Sequence, residues 1–247
     1  MAHELEQLRN TGTIPSAQLH VQVPRLCGEQ DLAHPLDEER FDSVANAAME
    51  AFAREGYKGA STEQIARKAG MSKGLLFFYF RNKRELYLRT LDWLYEKTVD
   101  IVIDEHFWEI ADFFELMQYA ARSKAHIMRC YPWALEFCLR AYYPQHRDVT
   151  ETLNRWNTQV IEQTTSTFMK NVDWSRFRPE VSPQQALNML IWLADGWTHA
   201  HLAAEKPIDI DELLSDFESM CDMVRRWAYK PEFQHPAPQV ARPVPQL

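Results

Sequence analysis

A chain of 247 residues and 29.0 kDa, 46% hydrophobic and 25% charged, is long enough for one or two domains with a sizeable core, and its composition excludes a wholly disordered polymer. Its four cysteines, at 27, 130, 138 and 221, form no CxxC pair and exclude a disulfide framework, which points to a reducing, cytoplasmic compartment. A net charge of −8 argues against a uniformly basic nucleic-acid binder, yet between Arg54 and Arg89 nine Lys or Arg stand against three Asp or Glu, a local +6 in a chain that is −14 elsewhere.

Residues 1–36 hold three prolines and no sustained periodicity, and 231–247 hold five prolines, so both ends read as flexible extensions. No apolar run has the length of a leader core or a membrane span, and no membrane is expected as a partner. Four of the seven glycines fall between 56 and 74 and only Gly196 comes later, so the rest of the chain reads as helical. Ser61 with Gln64, Asn82 with Glu85, Asp148 with Glu151, Ser182 with Gln185 and Asp209 with Glu212 have capping-box spacing and mark five helix starts. The resulting expectation is an all-α protein with helices over 37–54, 62–69, 72–80, 83–104, 109–130, 132–142, 149–171, 183–204 and 210–229. Four segments follow from it: an arm over 1–36, a first helical domain over 37–82, a second helical domain over 83–230, and a Pro-rich tail over 231–247.

Within 37–82, Phe41, Val44, Ala45, Ala48 and Phe52 form one apolar stripe that needs neighbours. Two short helices follow, separated by Gly70 and Met71, a break at which glycine can turn left-handed. In a helix-turn-helix the start of the second helix enters the major groove. Ser72 and Lys73 stand there, Lys73 able to donate to guanine O6 or N7, and Gly74 lets backbone come close to DNA. Thr62, Tyr79 and Lys83 suit phosphates by hydroxyl or charge, while Ser61 serves as the cap. In the run Phe77-Phe78-Tyr79-Phe80, Leu76 and Phe80 face inward, leaving Phe78 or Tyr79 outside for a thymine methyl or a sugar. Any glycine-linked helix pair can be purely structural; the coincidence with the +6 patch and the aromatic run is what points to nucleic acid.

From Phe41 to Leu86 the chain resembles the DNA-binding domain of the tetracycline-repressor (TetR) family. The stretch AMEAFAREGYKGAST, then Ile65 and Ala66, AGMSKG and YFRNKREL carry the likeness over 46 residues in register. The resemblance implies a dimeric transcription factor, usually a repressor on a double-stranded DNA operator, with a three-helix helix-turn-helix DNA-binding domain over 37–82 and a helical ligand-binding and dimerisation domain over 83–230 that binds a small-molecule effector. It places Thr62, Ser72, Lys73, Gly74, Phe77, Phe78, Tyr79 and Lys83 at DNA-contact positions. Two departures stand out: Phe77 replaces the usual Tyr in mid-helix, and Leu75 sits where a Thr or small polar residue is frequent.

The helix starting at Asn82 links the two regions and is the natural route for an effector signal. Beyond it the chain is crowded with aromatics, most of them core. The family resemblance implies a cavity among them, with Phe113, Met117, Trp133, Phe137, Trp156 and Trp192 as its expected lining and an apolar or aromatic ligand. Glu136 and Arg140, four apart, read as a surface pair. His126 with Cys130, and His199 with His201, offer only pairs of metal ligands, so no metal and no cofactor is expected. No GxSxG, phosphate-binding glycine loop or HExxH occurs, so an enzyme is not expected. The last two helices carry apolar stripes that, by the resemblance, form the homodimer interface: Leu187, Leu190, Ile191, Ala194 and Trp197 on one, Phe217, Met220 and Val224 on the other. Gly196 in the first of them reads as a point of close helix approach. The alternative function is a family-derived helical dimer acting as a protein adaptor without specific DNA binding.

Overall fold

Helix α1, Glu38–Gly59, starts where the Asp37 carboxylate accepts the Arg40 N–H at 2.9 Å, and it buries Val44, Ala45, Ala48, Met49 and Phe52 along the expected stripe. The computed structural model describes residues 23–27, 36–204 and 208–235. The arm positions 1–22 and 28–35 and the tail from 236 lie outside it. After α1 come α2 (Thr62–Lys68), α3 (Lys73–Tyr79), α4 (Lys83–Val102), α5 (Glu105–Glu109), α6 (Phe113–Cys130), α7 (Ala134–Tyr142), α8 (Arg147–Gln163), α9 (Pro183–Ala203) and α10 (Ile210–Ala228). Among the described residues there is no strand, only an isolated antiparallel bridge between Phe177 and Tyr229. The fold is all-α, as expected.

The chain divides into two compact units, one of residues 1–100 with 127–168, the other of 101–126 with 169–247. In the first, α1 packs on α2 and α7, α3 on α2, and α7 on α8. Its core joins Phe52, Ile65, Leu76, Phe80, Leu86 and Phe137, all at most 1% exposed. Phe52, Tyr87 and Phe137 form a ring cluster with centroids 4.8 to 6.2 Å apart. Helix α4 is gripped along its length. Trp93 Nε1 donates to Asp42 of α1 at 3.0 Å and Lys97 pairs with Glu38 at 2.7 Å. Arg84 reaches the Asp148 carbonyl and the Thr152 hydroxyl of α8.

Four capping starts hold as expected: Ser61, Asn82 and Asp209 accept backbone N–H groups in their first turns, and Gln185 reaches back to the Ser182 N–H. The fifth does not. Helix α8 begins at Arg147 with His146 as its cap, the ring Nδ1 accepting the Asp148 N–H at 3.3 Å. The expected helix over 109–130 starts only at Phe113, where Asp112 caps α6 through the Glu115 N–H, and an unexpected short helix, α5, precedes it, capped by Asp104 through the Phe107 N–H. The expected helix over 149–171 ends as a helix at Gln163 and loosens into a π turn over Thr164–Phe168. There the Thr164, Thr165 and Ser166 hydroxyls bond carbonyls one turn back, the side-chain competition that widens a helix. Helix α1 outruns its expected end, but Gly56 breaks its path at φ 70° and ψ 172°. Arg140 Nε donates to the Ala53 carbonyl at 2.6 Å, at the end of the regular turn. Arg140 therefore closes α1 and does not pair with Glu136 as its spacing implied.

The second unit is organised by Asp112. Its carboxylate, besides capping α6, takes a two-pronged contact from Arg225 of α10 at 2.8 Å on each oxygen and a third from Arg176 at 2.9 Å. Arg225 is 3% exposed and lies over the Phe114 and Tyr229 rings. The Tyr229 hydroxyl accepts the Phe113 N–H at 3.0 Å, and Arg178 and Lys230 exchange backbone bonds with Ala228 and Arg176. Trp197 of α9 donates to Asp216 of α10 at 2.6 Å.

Removing one partner of a buried ion pair leaves the other charge uncompensated, so Asp112→Ala is expected to lower unfolding stability by about 3 to 5 kcal/mol in urea titrations. A second expectation concerns pH. Burial pushes Asp92 of α4 up to about 6, with N–H bonds from Leu26 and Cys27 and the charge of Arg89 pulling down and Glu96 pushing up. The folded chain holds a proton that an ordinary carboxylate, near about 3.9, has lost. Asp92's contribution to stability is thus full below about pH 4 and disappears as pH rises through the folded value. Asp92→Asn should flatten the fall in stability over that window, measured by urea titration at successive pH values.

Candidate nucleic-acid interface

Gly70 adopts φ 69°, and a side chain there would be strained although nothing lies within 4 Å. That single left-handed residue sets α3 against α2. Helix α3 then starts at Ser72, whose Oγ accepts the Leu75 N–H at 3.1 Å. Ser72 is thus a cap, with its hydroxyl proton free of that role. Lys73 is exposed at the start of α3 and stands 3.8 Å from Glu63 of α2. At Gly74 an added Cβ would meet only Ser72 Oγ at 3.9 Å, so the fold does not demand glycine there and the outward face is open. Leu76 and Phe80 are buried as expected, Phe77 and Tyr79 are half-buried, and Phe78 is 48% exposed, edge-on to Tyr79. Leu75 also faces outward, giving α3 a partly apolar outer surface.

Thr62, half-buried, opens α2, with Ser61 as its cap. Lys83 is turned inward: its ammonium donates to the Lys58 carbonyl at 3.0 Å and lies over the Tyr57 ring. Burial holds its pKa below the usual lysine value, with the charge of Glu55 opposing. Thr62, Ser72, Lys73, Gly74, Phe77, Phe78, Tyr79 and Lys83 lie on α2, α3 and the first turn of α4. Exposed Arg67 and Arg81 belong to the same basic stretch and were not singled out from the sequence; the charge count already contained them.

The residues expected to line a cavity are divided between the two units. Trp133, Phe137 and Trp156 belong to the first unit, and Phe113, Met117 and Trp192 to the second. Phe137 and Phe113 are fully buried in ring clusters, the latter with Phe114, Trp174 and Phe177. Met117 and Trp133 are half-buried, Trp133 under the guanidinium of Arg54. Trp192 is 67% exposed, on the surface of its unit. Among the expected interface residues, Leu187, Leu190 and Val224 face the unit's own core, at most 7% exposed, and Ile191, Ala194, Trp197, Phe217 and Met220 are half-buried. An amphipathic stripe turns first to its own domain. Among the described residues the outward large apolar positions of α9 and α10 are Trp192, Met223 and Trp227, of which Trp227 lies on the apolar stripe read from the sequence and Met223 escaped the periodicity count. Gly196 is exposed, and a Cβ there would meet nothing, so no close helix approach inside the described chain explains it.

Among the described residues no group of three or more His, Cys, Asp or Glu is placed to hold a metal, and no helix is long and apolar enough to cross a membrane. None of the four cysteines is in a disulfide.

Residues 45–90 match the model of bacterial regulatory proteins of the tetR family. The chain is 33% identical over 104 residues to the transcriptional regulator RutR of Escherichia coli, covering 39% of this chain and 45% of that one. It is 44% identical over 54 residues to the transcriptional activator FasR of Mycolicibacterium smegmatis, covering 22% and 25%. The first curated relatives are matched over 23% to 51% of their own length. Among solved structures, a SmeT–triclosan complex superposes with a TM-score of 0.61 at 18% identity, over 85% of this chain and all of that one. The fatty acid degradation regulator FadR from Bacillus halodurans superposes with a TM-score of 0.60 at 16% identity, over 76% of this chain and 96% of that one. At these identities the structural likeness establishes the fold.

Proposed function

We infer that this chain, which residues 45–90 make a member of the tetR family, is a ligand-responsive DNA-binding transcriptional regulator: a cytoplasmic homodimeric repressor that leaves a palindromic operator when a small molecule with an apolar or aromatic body binds. The observation that carries this reading is α3, which offers Lys73, Gly74, Leu75 and Phe78 outward from a core pinned by Leu76 and Phe80, inside the only strongly basic stretch of an acidic chain. Phosphate-seeking charge orients such a unit, and the outward side chains of the second helix read base edges. Thr62, Ser72, Lys73, Gly74, Phe77, Phe78, Tyr79 and Lys83 are its assigned DNA contacts. With Leu75 and Phe78 outward, apolar contact to thymine methyls takes a larger share than in a polar recognition helix. Ligand response and repression are supported by analogy with SmeT, described as the repressor of a multidrug efflux pump and found in complex with triclosan.

Homodimerisation is supported by the exposed apolar side chains Trp192, Met223 and Trp227 on the last two long helices. The combined substitutions Met223→Glu and Trp227→Glu are expected to shift sedimentation from dimer to monomer without loss of helix content. If the species are unchanged, the interface lies elsewhere.

The function is tested by selecting bound sequences from a random double-stranded DNA pool at two salt concentrations. One palindrome is expected, and Lys73→Ala should weaken it by about 1 to 3 kcal/mol with relaxed preference at the base that Lys73 reads. Lys83→Ala should weaken all sequences alike and reduce the salt slope, together with a loss of thermal stability from its lost bond to the Lys58 carbonyl. No enrichment at either salt would overturn the operator and favour the adaptor.

A further inference from the structure

A five-residue piece of the N-terminal arm, Val23–Cys27, lies in no helix and is held on the first unit by a set of polar contacts. The Asp92 carboxylate of α4 accepts the N–H groups of Leu26 at 2.7 Å and Cys27 at 2.9 Å. One turn along α4, Glu96 pairs with Arg25 at 3.0 Å. From α8, Trp156 Nε1 donates to the Pro24 carbonyl at 2.9 Å. The ring of Tyr95 stands edge-on to Trp156 at 5.2 Å, and its hydroxyl is buried without a hydrogen-bond partner.

Occupant and cleft are unequal. Asp92 and Trp156 are 8% and 7% exposed, whereas Val23, Pro24, Leu26 and Cys27 are only half-buried and Arg25 is exposed. The segment thus covers the cleft without burying much of itself, so little apolar area opposes its release. Its contribution can be written as a short inventory of chemistry: two N–H donors for one carboxylate, a cation for a second, a carbonyl for an indole N–H. A buried carboxylate that loses its donors takes up a proton or accepts replacement donors, since an unpaired buried charge costs several kcal/mol on the order of a broken ion pair. A planar amidinium presents two parallel N–H donors to a carboxylate, and an aromatic ring attached to it matches the edge-and-face surfaces of Trp156 and Tyr95.

We propose that Pro24–Cys27 is a built-in occupant of a ligand cleft formed by Asp92, Tyr95, Glu96 and Trp156, and that the molecule taking its place has a flat apolar body with an amidine or protonated-amine head. The inference rests on the ligand-responsive reading and names its site and ligand class. Because α4 runs directly from the helix-turn-helix, exchange of the occupant acts on the helix that carries the DNA-binding end.

The test uses the full chain and benzamidine as probe, with binding measured calorimetrically in the absence of DNA. Leu26→Pro removes one donor to Asp92, Arg25→Ala removes the cation on Glu96, and neither alters a residue of the cleft itself. The double variant is expected to bind benzamidine about tenfold more tightly than the unaltered chain, the equivalent of one charged hydrogen bond of competition removed. Adding Asp92→Asn to it should abolish the gain. Glu96→Gln, which removes the second carboxylate and leaves Asp92 in place, is a second variant expected to reduce the gain should Asp92→Asn fail to fold. In the unaltered chain, saturating benzamidine should speed hydrogen exchange at the Leu26 and Cys27 amides. Equal affinities in the released and unaltered chains, absence of binding in both, or unchanged exchange at those amides would overturn the proposal. Since no DNA is present, these results stand apart from the operator selection: a failed selection with successful exchange removes the regulator and keeps the cleft.

Discussion

Helix α4 is where the polar chemistry of the first unit converges, and its period explains how. Residues 92 and 96 share one face and 93 and 97 the neighbouring one, about 100° around the axis. The first face holds the arm segment through Asp92 and Glu96, and the second holds α1 through Trp93 and Lys97. At its start Arg84 is tied to α8. One helix therefore meets three parts of the chain distant in sequence. Its tilt is fixed by directional bonds, and a directional bond has few alternative geometries. That is the property a signal-bearing element needs: discrete arrangements that a bound molecule can favour unequally.

The outer surface of α3 follows from its length. Seven residues give two turns, and a helix so short can bury only one narrow stripe, here Leu76 with Phe80 just beyond its end. The other large side chains, Leu75 and Phe78, are left outside by geometry. Exposed apolar groups beside Lys73 make the surface unusual for an anionic partner: charge orients it, while contact with base edges depends on shape and methyl groups. Lys83, expected from the sequence as a cation for phosphate, also ties α4 to α1 through its bond to the Lys58 carbonyl.

Much of the fold was legible because it is written in local chemistry. Four of the capping pairs, the left-handed Gly70 and the inward Leu76 and Phe80 are decided by residues within one or two turns of each other. The box formed by Asp112 and Glu115 went unread because Ile110 and Phe113 on either side continue the apolar pattern and hide the break. Arg140 was assigned to Glu136 by spacing, while its actual acceptor is a carbonyl 87 positions away, which no local rule reaches. The stripes of α9 and α10 were legible as apolar, but periodicity does not say whether a face meets its own core or another surface. The arm segment has no periodicity at all; only the structure shows Leu26 and Cys27 meeting Asp92.

The bond from Arg140 to the Ala53 carbonyl gives the first unit a second line of communication. It joins α7 to the far end of α1, beside the left-handed Gly56, and does not pass through α4. The first unit thus ties α1 down twice, through Trp93 and Lys97 of α4 and through Arg140 of α7. Loss of either tie leaves the other in place, so substitutions at Trp93 and Arg140 together should unsettle α1 by more than the sum of the two alone.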